Sequence, residues 1–155
     1  MARFLFVTLP RRLLGCLMLV GVALSFANVV ARYVFGYAIY WAEEVLVFIA
    51  IWGVFIGMAA AAYERAHLNM DLFSNGISGR LKLALNAAMT ATLLACCGFM
   101  LAQSWQVVSL FYQSGSVSVS AGVPKWIPHS AVLAGFALTA IAVLVRLRFY
   151  LTGKP

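Results

Sequence analysis

Ion-forming side chains are scarce in this sequence. Four of its 155 residues are acidic, charged residues make up 10%, and there are two histidines and three cysteines. No acid falls at the centre of a long apolar run, where a proton-coupled pump or exporter carries its coupling carboxylate. Cys16, Cys96 and Cys97 all lie inside apolar runs and form no CxxC. They read as small apolar packing, not as a disulfide framework or thiol relay. His67 follows the second apolar run and His129 opens the fourth. Those positions lie on opposite sides of a hydrocarbon layer about 30 Å thick, too far apart to share one haem iron within a chain. His67 and Asp71 alone make a poor metal site. No nucleophile motif or glycine-rich phosphate loop is present. Nothing here predicts an enzyme, and no cofactor is expected.

What the chain has in excess is apolar residues, 65% of the total, against about 45–50% in a soluble domain. They fall into four runs, 13–31, 45–63, 83–102 and 127–145, each near the length that crosses a bilayer. The expected fold is all-α: one polytopic membrane domain of four transmembrane helices, preceded by a short N-terminal interfacial segment. The net charge of +7 does not point to nucleic acid, because its distribution follows the positive-inside rule. Arg3, Arg11, Arg12, Arg65, Arg80, Lys82, Arg146, Arg148 and Lys154 fall on one side, and only Arg32 and Lys125 on the other. Both termini are therefore expected in the cytoplasm, with the 31–44 and 103–126 loops outside. The first run is long for the core of a signal peptide, so it is read as a retained span.

The chain is organised around Arg32–His67, in which an apolar helix has ion-forming residues at both ends. Before it, Pro10 is expected to break or bend the N-terminal piece. Ala23, Ala27 and Ala31 make a small-residue groove on span one, and Asn28 shares a face with Arg32. Asn28 is expected to make an interhelical hydrogen bond. On span two, Gly53 and Gly57 form GxxxG, and Trp41, Phe48, Trp52 and Phe55 line one flank. A helix with one close-packing and one bulky face is expected to be sandwiched. The 64–82 loop is short, so spans two and three are expected to be antiparallel neighbours. Asn86 and Thr90 share a face of span three, which continues into a polar extension with Gln103 and Gln106. Alternating Ser with Val or Gly over 114–124 suits an extended segment. Pro124 and Pro128 flank Trp126 at the start of span four.

Four segments carry a resemblance. They are Asn28–Gly36 (NVVARYVFG), Trp41–Glu44 (WAEE), Trp52–Gly57 (WGVFIG) and Arg65–Leu68 (RAHL). In this order and spacing they resemble the small membrane subunit, DctQ-like, of tripartite ATP-independent periplasmic (TRAP) transporters. Ser118, Gly122-Val123-Pro124 and Trp126 look like that family's approach to its last span. The family often has a longer and more polar outer loop after span three.

The resemblance implies a small permease subunit in the cytoplasmic (inner) membrane of a bacterium or archaeon. An extracytoplasmic binding protein would capture an organic acid anion, and a large membrane subunit would carry it with sodium by an elevator motion. The small subunit would pack on the fixed scaffold of the large one and bind no substrate. On this reading the interface or structural ion-pair residues are Arg32, Trp41, Glu43, Glu44, Trp52, Gly53, Phe55, Gly57, Arg65 and His67. Tyr37, Tyr40, Ser118, Lys125 and Trp126 would be placed to touch the binding protein. Other readings are a stand-alone homo-oligomeric transporter, which the missing midplane acid opposes, and the membrane anchor of a redox enzyme. C4-dicarboxylates, sialic acids, keto acids and sugar acids all remain open as cargo.

Overall fold

A computed structural model describes residues 7–64 and 80–152. Five helices lie in it: α1 (Leu9–Val34), α2 (Ala42–Tyr63), α3 (Arg80–Ser114), α4 (Trp126–Val145) and the short α5 (Leu147–Thr152). The first four are long and apolar enough to cross a membrane. They contain the four expected spans, and the chain is an all-helical polytopic membrane protein.

Two boundaries differ from expectation. Pro10 does not break the chain ahead of span one. It lies in the first turn of α1, where its missing N–H would have no helical partner in any case. α3 has 35 residues, or about 52 Å of helix. It takes in Gln103, Gln106 and the stretch to Ser114, and ends at Gly115, whose φ of +60° suits a residue without a side chain. At one end of α3 Phe111 stacks on His129 of α4. Further along, Leu93 and Leu94 meet Val143 of α4 and Tyr150 of α5. The first turns of α3 therefore run past the end of α4, and α5 packs against α3 there.

The helices stand in a row, not in a closed bundle. Among the described residues α1 packs extensively on α2 alone, α2 on α1 and α4, and α4 on α2 and α3. The order is α1–α2–α4–α3. Span two is sandwiched, as its two-faced composition suggests, but α3 is not its neighbour. α4 lies between them. Loop length limits how far apart two helices can stand without requiring that they touch.

α4 owes its central position to small residues. Ala131, Gly135, Thr139 and Ala142 are buried at four- and three-residue spacing. A Cβ on Gly135 would lie 2.6 Å from Phe55 Cβ, so this glycine sets the close approach of α2 and α4. The Phe55 ring packs beside Phe136 with centroids 5.9 Å apart. The Thr139 hydroxyl is buried with no hydrogen-bond partner among the described residues. Removing an unpaired buried hydroxyl relieves a desolvation cost. Thr139→Val should therefore keep or raise the melting temperature in detergent, and a clear drop would reveal a partner for that hydroxyl.

The tightest packing gathers at the end where the chain begins and finishes. Val7, Tyr63 and Ala142 form one buried cluster, and Ala62, Val143 and Tyr150 another. The last carbonyls of α2 have no helical partners of their own. The Tyr150 hydroxyl donates to Ala62 O. Arg146 Nη1 donates to Tyr63 O at 3.0 Å, and its guanidinium lies 5.0 Å from the Tyr63 ring centroid. The basic stop after span four thus doubles as the C-terminal cap of α2.

Candidate functional site: the α1–α2 seam and the loop-end platform

α1 and α2 meet along two matched seams. On α1 the seam is Arg11, Leu14, Met18, Gly21, Ser25, Asn28 and Arg32; on α2 it is Glu43, Leu46, Ala50, Gly53, Gly57, Ala60 and Glu64. Both alternate steps of three and four, the spacing that keeps one stripe facing a neighbouring helix. Each begins and ends on a charge, arginine on α1 and glutamate on α2. The antiparallel pairing brings both sets together. Arg32 Nη2 lies 3.2 Å from Glu43 Oε1, and Arg11 Nη2 lies 3.0 and 2.8 Å from the two Glu64 carboxylate oxygens. The paired positions are 21 residues apart on each helix, or about 31 Å, which matches the hydrocarbon thickness.

The pairs are exposed and individually weak, yet they bear strongly on register. A slip of one heptad would carry an arginine or a glutamate into the apolar layer, at about 2.5–3.5 kcal/mol or more for each charge. Between the charges, larger residues fit against glycines. Leu14 Cδ atoms stand 3.5 Å from where a Cβ on Gly53 or Gly57 would lie, and Leu46 stands 3.6 Å from the same point on Gly21. The GxxxG of span two therefore receives a leucine of span one. Between its charged ends the seam opens on one side as an apolar groove of about 520 Å³, lined by both helices.

The loop end is built as a platform. Asn28 is buried, and its Oδ1 accepts the Ile39 N–H at 2.9 Å. Its partner is thus the connection between α1 and α2 and not another helix, because the short turn at Gly36 (φ +71°) folds that backbone back onto it. Glu44 turns away from Glu43. Its Oε2 accepts the backbone N–H groups of Ser120 (3.1 Å) and Ala121 (2.7 Å), at the tip of a hairpin formed by residues 115–125. That hairpin is the extended segment expected over 114–124. It closes through Ser118 N–H to Val123 O (2.8 Å) and Lys125 N–H to Ser116 O (2.9 Å), with Gly122 at φ +64°. Both acids also sit in the first turn of α2, where negative charge suits the helix dipole.

The remaining expected site residues divide between the two ends and the interior. Tyr37, Tyr40 and Trp41 are exposed at the loop end. Trp126 stacks edge-on to Tyr112 at 6.1 Å, and Lys125 ends the hairpin. Ser118 is buried, and its hydroxyl accepts the Val123 N–H at 3.1 Å. Phe55 is engaged by α4, and Trp52 is half-buried on the same flank. Arg65 and His67 lie outside the described residues. Four residues escaped sequence reading: Arg11 and Glu64 as partners, Gly135 as the close-approach glycine, and Arg146 as a cap. The first two had a signal, since both fall on the three-and-four stripes through Arg32 and Glu43. Among the described residues no three His, Cys, Asp or Glu side chains gather into a metal site. The arrangement holds helices and loops in place.

Residues 21–151 match the family described as tripartite ATP-independent periplasmic transporters, DctQ component. A C4-dicarboxylate TRAP transporter small permease protein, DctQ, of Vibrio cholerae serotype O1 is 28% identical over 153 residues, covering 84% of this chain and 66% of that protein. The chain thus spans just under two thirds of that relative's length. A Haemophilus influenzae protein assigned provisionally as a TRAP transporter small permease is 27% identical over 121 residues, covering 77% of this chain and 74% of that one. With the family matched from the middle of α1 through the other three spanning helices, the chain belongs to the DctQ family, the small permease subunits of TRAP transporters.

Proposed function

We propose that this small permease subunit packs on the scaffold of a large TRAP membrane subunit and holds it fixed in the bilayer during sodium-coupled uptake of an organic acid anion. The observation that carries the proposal is the row. A single file of four helices encloses no transport path among the described residues, while it exposes apolar surface along its whole length. Such a wall resists tilting, because exposed Tyr33, Tyr40 and Trp41 sit at one interface and arginines at the other. An elevator carrier needs a fixed support of this kind. The acids and arginines lie at the helix ends, consistent with coupling chemistry residing in a partner.

In this role Arg32 with Glu43, and Glu44 with the hairpin, set the geometry of the outer ends. Trp41 and Trp52 would meet the partner, Gly53 and Gly57 allow α1 to approach closely through Leu14, and Phe55 supports them from within. Arg65 and His67 would fix the inner end of span two. Both termini would lie in the cytoplasm, following the positive charge. A periplasmic binding protein would then meet Tyr37, Tyr40, Lys125, Trp126 and the hairpin tip. There Val119 is 96% exposed, on a turn that Ser118 shapes from beneath. The membrane is the bacterial or archaeal inner membrane.

The test is a gentle-detergent pull-down of the tagged chain expressed with its genomic neighbours, read by intact mass. A one-to-one complex with a large polytopic protein is expected. A lone monomer or homo-oligomer, reproduced in lipid nanodiscs, would overturn the support role.

A further inference from the structure

We infer that the α1–α2 groove is a binding site for one anionic phospholipid, with an acyl chain in the groove and the phosphate at Arg11. Three features of the molecule lead there. The groove holds about 520 Å³ and is walled by Leu17, Met18, Gly21, Ser25, Ala50 and Val54, among others, with the Ser25 hydroxyl its only polar side-chain group. It opens sideways between two membrane-spanning helices. A crevice open to hydrocarbon fills with lipid tail, since leaving it empty forfeits dispersion contacts on every wall. Its small residues, Gly21, Ser25, Ala50 and Gly53, leave the depth for a chain.

The second feature is depth. The ion pairs at the two ends of the seam stand about one hydrocarbon thickness apart. Arg11 therefore lies level with lipid phosphates when the groove lies level with their tails. It falls on the groove side of α1, one turn before Leu14, and its side chain is 65% exposed. One guanidinium nitrogen serves Glu64. The others can donate to a phosphate, an acceptor that guanidinium groups match well.

The third is charge asymmetry between the ends. At the Arg11 end Arg12 adds a second, exposed cation against the single Glu64. At the other end Arg32 is paired by Glu43, and Glu44 stands beside it on the hairpin amides. An anionic headgroup complements the first end, while at the second the acids Glu43 and Glu44 already take up Arg32 and Lys125 and leave no excess positive charge. The lipid's orientation follows: phosphate at Arg11, chain toward Ser25.

Native mass spectrometry of the delipidated full chain tests this, with added phosphatidylglycerol or phosphatidylcholine as probes. One phosphatidylglycerol should be retained in preference to phosphatidylcholine. Arg11→Gln should cut that preference about fivefold, the factor for one basic residue at an anionic surface. Glu64→Gln breaks the same ion pair yet leaves the cation, so it should keep or raise the preference. Ala50→Leu should lower retention of both lipids. Equal losses in Arg11→Gln and Glu64→Gln would mean that the ion pair, not the phosphate contact, matters, and would overturn the assignment. Unchanged retention in Ala50→Leu, or a groove free of lipid in the complex with the large subunit because a partner helix fills it, would do so as well.

Discussion

Gly135→Ala should lower the stability of the chain by about 1–3 kcal/mol, the usual cost of forcing a methyl group into a filled interface. The new Cβ would meet Phe55 Cβ at 2.6 Å and two ring carbons at 2.8 and 3.0 Å. The ring can rotate away, but the Phe55 Cβ moves only with the backbone of α2. Because α4 is the helix that joins α2 to α3, a shift there loosens both contacts. Gly98→Ala supplies the control. Nothing lies within 4 Å of its added methyl, and alanine favours a helix over glycine. Thermal unfolding in detergent micelles should show a clear drop for the first and none for the second. Equal melting temperatures would mean that the α2–α4 crossing is looser than its geometry indicates.

Arg146→Ala should cost about 2–4 kcal/mol. Loss of a hydrogen bond from a charged donor accounts for about 1.5–3 kcal/mol, and loss of the cation–π contact for about 0.5–1 kcal/mol more. The substitution uncaps the Tyr63 carbonyl and removes a positive charge from the negative end of the α2 dipole. Arg146→Lys keeps the charge but not the planar fork, and should recover only part of the loss. Tyr150→Phe removes the bond to the adjacent Ala62 carbonyl and should cost about 1 kcal/mol. Combining it with Arg146→Ala should cost less than the two losses added, because both act on one frayed turn. Amide exchange over residues 61–64 should quicken in each variant. Unchanged exchange there would show that α2 holds its own end.

The spans were readable because the bilayer imposes length and apolarity on any helix that crosses it. Leu13–Ala31 and Ile127–Val145 could hardly be anything else. The sequence leaves Arg32 open between Glu43, Glu44 and a partner subunit. The structure divides the two acids, Glu43 to Arg32 and Glu44 to the hairpin. The hairpin amides that hold Glu44 come from Ser120 and Ala121, 76 and 77 residues further on. No local pattern names a backbone group that far away. The same holds for Arg146, which reads as a membrane stop and serves Tyr63 across 83 residues.

The sequence alone determined that this is a four-span membrane protein of the DctQ type, with its charges confined to the helix ends. It could do so because water, hydrocarbon and headgroups sort residues by chemistry, one position at a time. The tertiary structure decided which helices touch. In a bilayer a leucine facing lipid and a leucine facing a helix stand in equally apolar surroundings, so hydrophobicity carries no signal for neighbour choice. Shape and the need to satisfy buried backbone groups settle it instead. Gly135 fits Phe55, and so α4 stands between α2 and α3. The last carbonyls of α2 require donors, and Arg146 and Tyr150 supply them.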